Sequence, residues 1–183
     1  MVGSENTVVG PIPAGHDPDR YDRSRRRVLW LMPSGLYLLG STAGGRRNLM
    51  TLNWATQVAT DPKLLLVSVE RGALTHQLIT EGGVFALSIL SRDDRPVVRK
   101  FAKPATEDGS TLSGFPVQQA PSGAPVLAQA VAWLDCRVHA SWELGSHTAF
   151  VGEVVDCGGL DDGAGEETPE ILRMEDTRMS YGG

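Results

Sequence analysis

The sequence predicts a mainly β fold with two or three short helices, its strands paired antiparallel into a closed or partly closed barrel. Three observations predict it. Roughly six runs of apolar and β-branched residues recur along the chain, most joined by turns too short for a crossover helix, which leaves antiparallel pairing. Twenty-one Gly and 11 Pro stand against 6% aromatic residues, a turn-rich composition unlike that of a helix bundle. A sheet of that many strands has edges to hide, and rolling it into a barrel removes them.

Residues 1–25 read as a polar N-terminal arm, with Gly10-Pro11-Ile12-Pro13-Ala14-Gly15 favouring extended chain. Five Arg fall between Arg20 and Arg27. They open a short solvated helix that leads into Val28-Leu29-Trp30-Leu31-Met32 and ends at Pro33. Residues 35–43 read as a strand ending at Gly44-Gly45, a hairpin signal. Strands follow at 52–60 and 64–70, with Asp61-Pro62-Lys63 as the turn between them. Residues 75–81 form a helix with Thr75 as N-cap and Gly82-Gly83 as its stop. A strand covers 84–90. A helix covers 93–102, where Pro96 fits only the first turn, so Asp93 or a neighbour is the cap. Residues 104–125 are a Gly/Pro/Ser-rich loop. Two long strands, 130–144 and 147–157, meet at a tight turn at Gly145-Ser146. In domain terms the chain is an arm over 1–25, one barrel domain over 26–160, and an acidic linker and tail over 161–183.

Charge and cysteine content narrow the function. The net charge is −5, which argues against general nucleic-acid binding. It is uneven: residues 1–100 hold 13 Lys/Arg and 9 Asp/Glu, residues 101–183 hold 4 and 13. No apolar run approaches the ~20 residues of a membrane span, and Met1 to Gly15 lacks the apolar core of a signal peptide. The expectation is a cytoplasmic protein. Cys136 and Cys157 read as reduced, half-buried strand residues. The four His are scattered, with no metal-ligand spacing. No dinucleotide fingerprint, phosphate loop or nucleophile elbow occurs. If the chain is an enzyme, a cofactor carries the difficult chemistry.

Four segments stand out. Asn48 to Pro62 places Thr51, Asn53, Thr56 and Gln57 on an otherwise apolar strand, and polar groups on a buried surface need partners. A cofactor ring could supply them, and so could water on an ordinary wet face. Val69 to His76 turns into a helix start beside Arg71, which suits an anion but is equally a bare cap. Arg99-Lys100-Phe101-Ala102-Lys103 suits a helix dipole, or a phosphate with a ring face. His147 opens a strand after a turn, where a lone His is more often structural than catalytic.

Taken together, these segments resemble the flavin reductase-like family of FMN-binding split-barrel proteins. The resemblance runs over about residues 28–157 and is carried by five matches in family order. They are Pro33-Ser34-Gly35, Met50-Thr51-Leu52-Asn53 through Asp61-Pro62, Thr75-His76 with Phe85 to Ser91, Phe101-Ala102, and His147-Thr148-Ala149-Phe150-Val151-Gly152-Glu153-Val154. The resemblance implies a split antiparallel β-barrel, a homodimer, and FMN (alternatively FAD) near the subunit interface. It implies NADH or NADPH as hydride donor, and a monooxygenase as a downstream partner. By position in the motifs, Thr51, Asn53, Trp54, Ala55 and Thr56 line the isoalloxazine and ribityl chain. Ser68, Glu70, Arg71, Thr75 and His76 hold the ribityl-phosphate end. Phe101, Ala102 and Lys103 cover the flavin. His147 is the catalytic candidate, near the nicotinamide. In the tail, Arg178 and Tyr181 are candidate contacts. The alternative function is an FMN-binding electron carrier or sensor without reductase activity; a module that binds no cofactor is a further one. Ala59, Lys63, Glu70 and Ser88 depart from the family pattern, and Glu70 would repel a phosphate unless it points away.

Overall fold

The computed structural model describes residues 10–159, 169–177 and 179. The chain divides into two units, the first reaching Pro33 and the second spanning Ser34–Thr177. The first contains helix α1 (Pro18–Leu29). Asp17 caps it by accepting the Arg20 N–H at 2.8 Å, Pro18 takes the first helical position, and Arg26 and Arg27 sit in the last turn, where the dipole favours cations. The helix starts earlier than the sequence reading, because Asp17-Pro18 is a stronger start signal than the arginines. It ends at Leu29, short of Pro33.

The second unit is built from strands. In chain order these are β1 (Tyr37–Ala43), β2 (Arg46–Leu52), β3 (Ala55–Thr60) and β4 (Lys63–Glu70), then helix α2 (Leu74–Gly82) and β5 (Val84–Ile89). A short helix α3 (Arg95–Val98) lies between two 3-10 turns, Arg92–Asp94 and Arg99–Phe101. Four small strands follow: β6 (Glu107–Asp108), β7 (Thr111–Leu112), β8 (Phe115–Gln119) and β9 (Pro125–Leu127). The long pair β10 (Ala132–Leu144) and β11 (His147–Gly158) comes last. The large sheet has the order β2-β1-β5-β10-β11-β4-β3, and every pairing in it is antiparallel.

That order fixes the shape of the sheet. β2 and β3 are its opposite edges, yet only Asn53 and Trp54 join them. In a flat sheet six strand spacings would set the edges about 29 Å apart. Three Cα steps span at most about 11 Å. The sheet must therefore roll until its edges nearly meet. They do not pair, so the barrel stays split at Asn53-Trp54. The core inside it is formed by Leu39, Leu52, Leu65, Val67, Val69, Ile79, Phe85, Leu87, Cys136 and Phe150. Gly152 is required there, since a Cβ would meet the Phe85 ring at 2.6 Å.

Several expectations need correction. The 52–60 strand is two elements, broken at Asn53-Trp54 where the chain changes edges. The Gly44-Gly45 turn, with φ of 55° and 77°, joins β1 to an additional strand, β2. Thr75 is not the cap of α2: Ala73 holds that position without a side-chain bond, and Thr75 is fully buried within the first turn. The 93–102 helix is three short turns, the first capped by Ser91. The 104–125 loop contains most of a second, four-stranded sheet, β6-β7-β8-β9, pinned where Asp135 accepts the Ser122 N–H at 2.8 Å and its hydroxyl at 2.6 Å. Cys136 is fully buried rather than half-buried, and burial, then the Asp135 carboxylate, pushes its thiol up to about 12. Cys157 is exposed rather than half-buried. In the tail, Leu172 is buried, donating to Leu90 O and accepting from Leu36 N. Arg178 and Tyr181 lie outside the described residues.

Candidate functional site

The residues singled out in the sequence gather in three places around the split. The first is the sheet face turned away from the core. Phe150 of β11 faces Val67 of β4 within the core, so the alternate residues lie on the other face. There the register sets His147 opposite Glu70 and Ala149 opposite Ser68, with Leu144 and Trp142 of β10 alongside. Trp54 reaches this face from the split. Its carbonyl accepts the Ser68 N–H at 3.0 Å, and its ring lies 4.9 Å from that of His147. Ala149 is almost wholly buried, while Trp54 and Trp142 are 40% and 55% exposed. Small residues thus lie between two exposed indoles. His147 Nδ1 is 2.8 Å from Ser146 Oγ. In the neutral ring protonated at Nε2, Ser146 donates to Nδ1, and Nε2–H is left to donate outward. Glu70 shares the His147 face. Asn53 and Thr56 are half-buried and exposed, respectively, whereas Ala55, expected to line the flavin, stands opposite Val67 and packs against the core.

The second place is the end of the barrel, where α2 begins. Helix α2 has no side-chain cap, so its first N–H groups are not closed off by a side chain and suit an anion. Arg71 stands before it. Its N–H donates to Ser146 O, and its exposed guanidinium pairs with Glu143 at 3.4 Å. His76 turns toward the core: Nε2 lies 2.8 Å from Thr148 Oγ1, and the ring sits edge-on to Phe150. Burial, then the Arg71 charge, holds the His76 imidazole below its ordinary value, against a weaker upward pull from Glu143. His147 and His76 therefore lie on opposite sides of β11, because His147 and Thr148 are consecutive in a strand.

The third place is the segment beyond α3. Phe101 is buried, its ring 5.9 Å from that of Phe115, while Ala102 and Lys103 are exposed. Thr51 is buried on β2 and donates its hydroxyl to Val98 O at 2.5 Å. Thr51, Thr75 and Phe101 are thus buried, whereas Asn53, Trp54, Thr56, Ser68, Glu70, Arg71, Ala102, Lys103 and His147 are half-buried or exposed. Sequence reasoning did not single out Asn48, Trp142, Glu143 or Thr148 as site residues. Only strand register shows that Trp142, Glu143 and Thr148 come to this end of the barrel. No cluster of metal-binding side chains occurs among the described residues, and no described helix is long and apolar enough to cross a membrane.

An uncapped helix start beside an arginine suits a phosphate, and a small-residue strip between indoles suits a flat ring. That pairing is what a flavin nucleotide asks for. Comparison with known proteins agrees. The model of the family described as "Flavin reductase like domain" matches residues 29–180. The NADH-dependent FAD reductase of Streptomyces globisporus is 36% identical over 134 residues, covering 71% of this chain and 72% of that protein. The NADH-dependent flavin reductase StyB of Pseudomonas fluorescens is 31% identical, covering 73% and 76%. The solved styrene monooxygenase flavin reductase of Pseudomonas putida S12 superposes with a TM-score of 0.64 at 29% identity, covering 73% and 85%. With the split barrel, the motif order and the family match all in register, this chain belongs to the flavin reductase-like family.

Proposed function

We propose that this chain is an NAD(P)H:flavin oxidoreductase, taking FMN or FAD as flavin and NADH or NADPH as donor. The observation that carries the reading is the cluster at the split: Trp54 and His147 in ring contact beside Ser68 and Glu70, next to Arg71 and the uncapped start of α2. Bound flavin supplies the two-electron acceptor that no side chain can provide. The protein's own residues bind and orient. Arg71 and the first N–H groups of α2 receive the phosphate. Ser68 and Thr56 offer hydroxyls along the sheet, and Ala102 and Lys103 close the third side. His147 presents Nε2–H as a donor to the nicotinamide amide. It is held for that by Ser146 on one side and Trp54 on the other.

The working unit is a homodimer. Trp54, Trp142 and Leu144 are all large, apolar and at least 40% exposed, and such groups concentrated at one end of a sheet mark an interface. The oxygenase partner is inferred from the styrene monooxygenase reductase to which the chain is similar.

The reading is tested by incubating the protein with FMN or FAD, desalting, and following the absorbance anaerobically after NADH, then NADPH. Flavin bands that bleach within seconds support the reductase. Retained bands that do not bleach would instead identify a flavin carrier or sensor. If no bands are retained, steady-state NAD(P)H oxidation with free flavin decides.

A further inference from the structure

We infer that Asn48 is a positioning residue for the flavin cradle: its buried amide sets the start of α2 and the Ala102-Lys103 cover in fixed relation. This rests on the reductase reading above. Asn48 is 2% exposed on β2, an edge strand. The Ala105 N–H donates to its Oδ1 at 2.8 Å, and its Nδ2 donates to Thr75 Oγ1 at 2.8 Å. The orientation of the amide follows from chemistry. A backbone N–H can only donate, so the carbonyl oxygen must face Ala105 and the NH2 must face Thr75.

The two ties have distinct targets. Thr75 lies in the first turn of α2, beside His76 and after Arg71. Ala105 lies two residues past Lys103. The Lys103 segment is also held at its other end, where Thr51 donates to Val98 O. Asn48 and Thr51 are three residues apart and so lie on opposite faces of β2. The chain from Val98 to Ala105 therefore starts on one face and crosses the free edge to end at Asn48. Ala102 and Lys103 sit on that crossing. Arg47 fastens the continuation, donating to Glu107 at 2.7 Å and to Gly109 O at 2.6 Å. One buried amide thus joins the phosphate end of the cradle to its cover. The groups it holds are the only partners of its two polar atoms among the described residues. Leaving either unpaired would carry a desolvation penalty, so the two segments move together or not at all.

The test uses the full chain and two near-isosteric variants. Asn48→Leu keeps the volume and loses both the acceptor for Ala105 and the donor to Thr75. Thr75→Val keeps the packing and loses the acceptor. Flavin affinity is read by quenching of flavin fluorescence, and hydrogen exchange is followed in the peptide covering residues 102–106. Ser88→Ala serves as control, since it removes the acceptor on β5 for the buried Leu127 N–H of β9. The expected result is a flavin Kd weakened about tenfold in each variant, no further loss in the double variant, and faster exchange at 102–106 in Asn48→Leu. Ser88→Ala should lower the melting temperature and leave the Kd within twofold. Wild-type protein that binds flavin while both variants bind it equally well would overturn the inference alone. Additive losses in the double variant would also overturn it. Wild-type protein that neither binds nor reduces flavin would overturn the reductase reading itself, and the inference with it.

Discussion

His147 is held by two contacts that can be removed separately. Its Nδ1 is 2.8 Å from Ser146 Oγ, and its ring lies 4.9 Å from that of Trp54, tilted by 56°. Replacing it with Phe keeps an aromatic ring against Trp54 and deletes both nitrogens. If Nε2–H donates to the nicotinamide as hydride moves, the variant loses one hydrogen bond of about 0.5–1.5 kcal/mol. That is about a 2- to 13-fold fall in kcat/KM for NADH. Replacing His147 with Ala also removes the ring contact, about another 0.5–1.5 kcal/mol of aromatic pairing, and frees Trp54. The Ala variant should therefore be slower than the Phe variant and should alter Trp54 fluorescence. Flavin Kd should remain within about twofold in the Phe variant, because the phosphate end of the cradle lies around Arg71 and α2. The assay is anaerobic stopped-flow NADH oxidation at saturating flavin, with Kd measured separately. If the Phe variant matches wild type in kcat/KM within twofold, the donor role fails and His147 is a packing residue. If flavin affinity falls as steeply as turnover, His147 belongs to the flavin contact and not to the donor site.

Other outcomes follow from single observations. Arg71→Ala removes an exposed ion pair with Glu143, so stability should change by less than about 1 kcal/mol, while the KM for flavin rises severalfold and loses most of its salt dependence; unchanged KM with lowered melting temperature would refute the phosphate role. Gly40→Ala puts a Cβ 1.9 Å from Pro125 O, a clash with backbone, and should cost upward of about 2 kcal/mol in a urea titration. Because the folded-state pKa of His76 is lowered by burial and Arg71, the unfolded chain binds more protons near pH 6. The His76 contribution to stability is therefore present above about pH 6.5 and is lost as pH falls through the lower folded value. The denaturation midpoint of His76→Gln should accordingly decline less than that of wild type between pH 7.5 and 5.5.

Where the sequence reading succeeded, local chemistry was enough. Gly44-Gly45 and Gly145-Ser146 mark hairpins because both turns use positive φ at Gly. The run at 63–70 is a strand whose apolar residues return on one face, while the strands at 37–43 and 84–89 are apolar runs buried along most of their length. What escaped was decided by distant partners. Thr75 has the composition of a cap, yet its hydroxyl is drawn inward by Asn48, 27 positions earlier. Thr51 reads as a cofactor contact, yet its hydroxyl is used by Val98, 47 positions later. A Gly/Pro/Ser-rich stretch reads as loop, yet the buried Asp135 carboxylate anchors its turn into a small sheet. Trp142 and Glu143 carry no local signal; only the β10–β11 register brings them beside His147 and Arg71.

The position of the site is itself a consequence of sheet order. A strand that ends at Leu52 on one edge and resumes at Ala55 on the other leaves two residues, Asn53 and Trp54, outside both edge strands. The Trp54 carbonyl accepts from Ser68 N and the Asn53 carbonyl from Ala55 N, and the Trp54 ring is set against His147. The gap is bounded by β2 and β3; beside β3 lie β4 and β11, whose outer residues Ser68, Glu70 and His147 are set by register, and β4 runs directly into α2. Closing the barrel by pairing β2 with β3 would fill this gap with backbone hydrogen bonds and leave no space for a planar ligand. The split is thus the structural condition for the site, and the length of the Asn53-Trp54 join controls it. Inserting one Gly between Asn53 and Trp54 should leave both edge strands paired as they are, so the melting temperature falls only modestly. The Trp54 ring, however, would leave His147. The insertion should therefore abolish the dependence of Trp54 fluorescence on His147 and lower kcat/KM by about the same factor as His147→Ala. An insertion variant as active as wild type would show that the join does not set the geometry of the site.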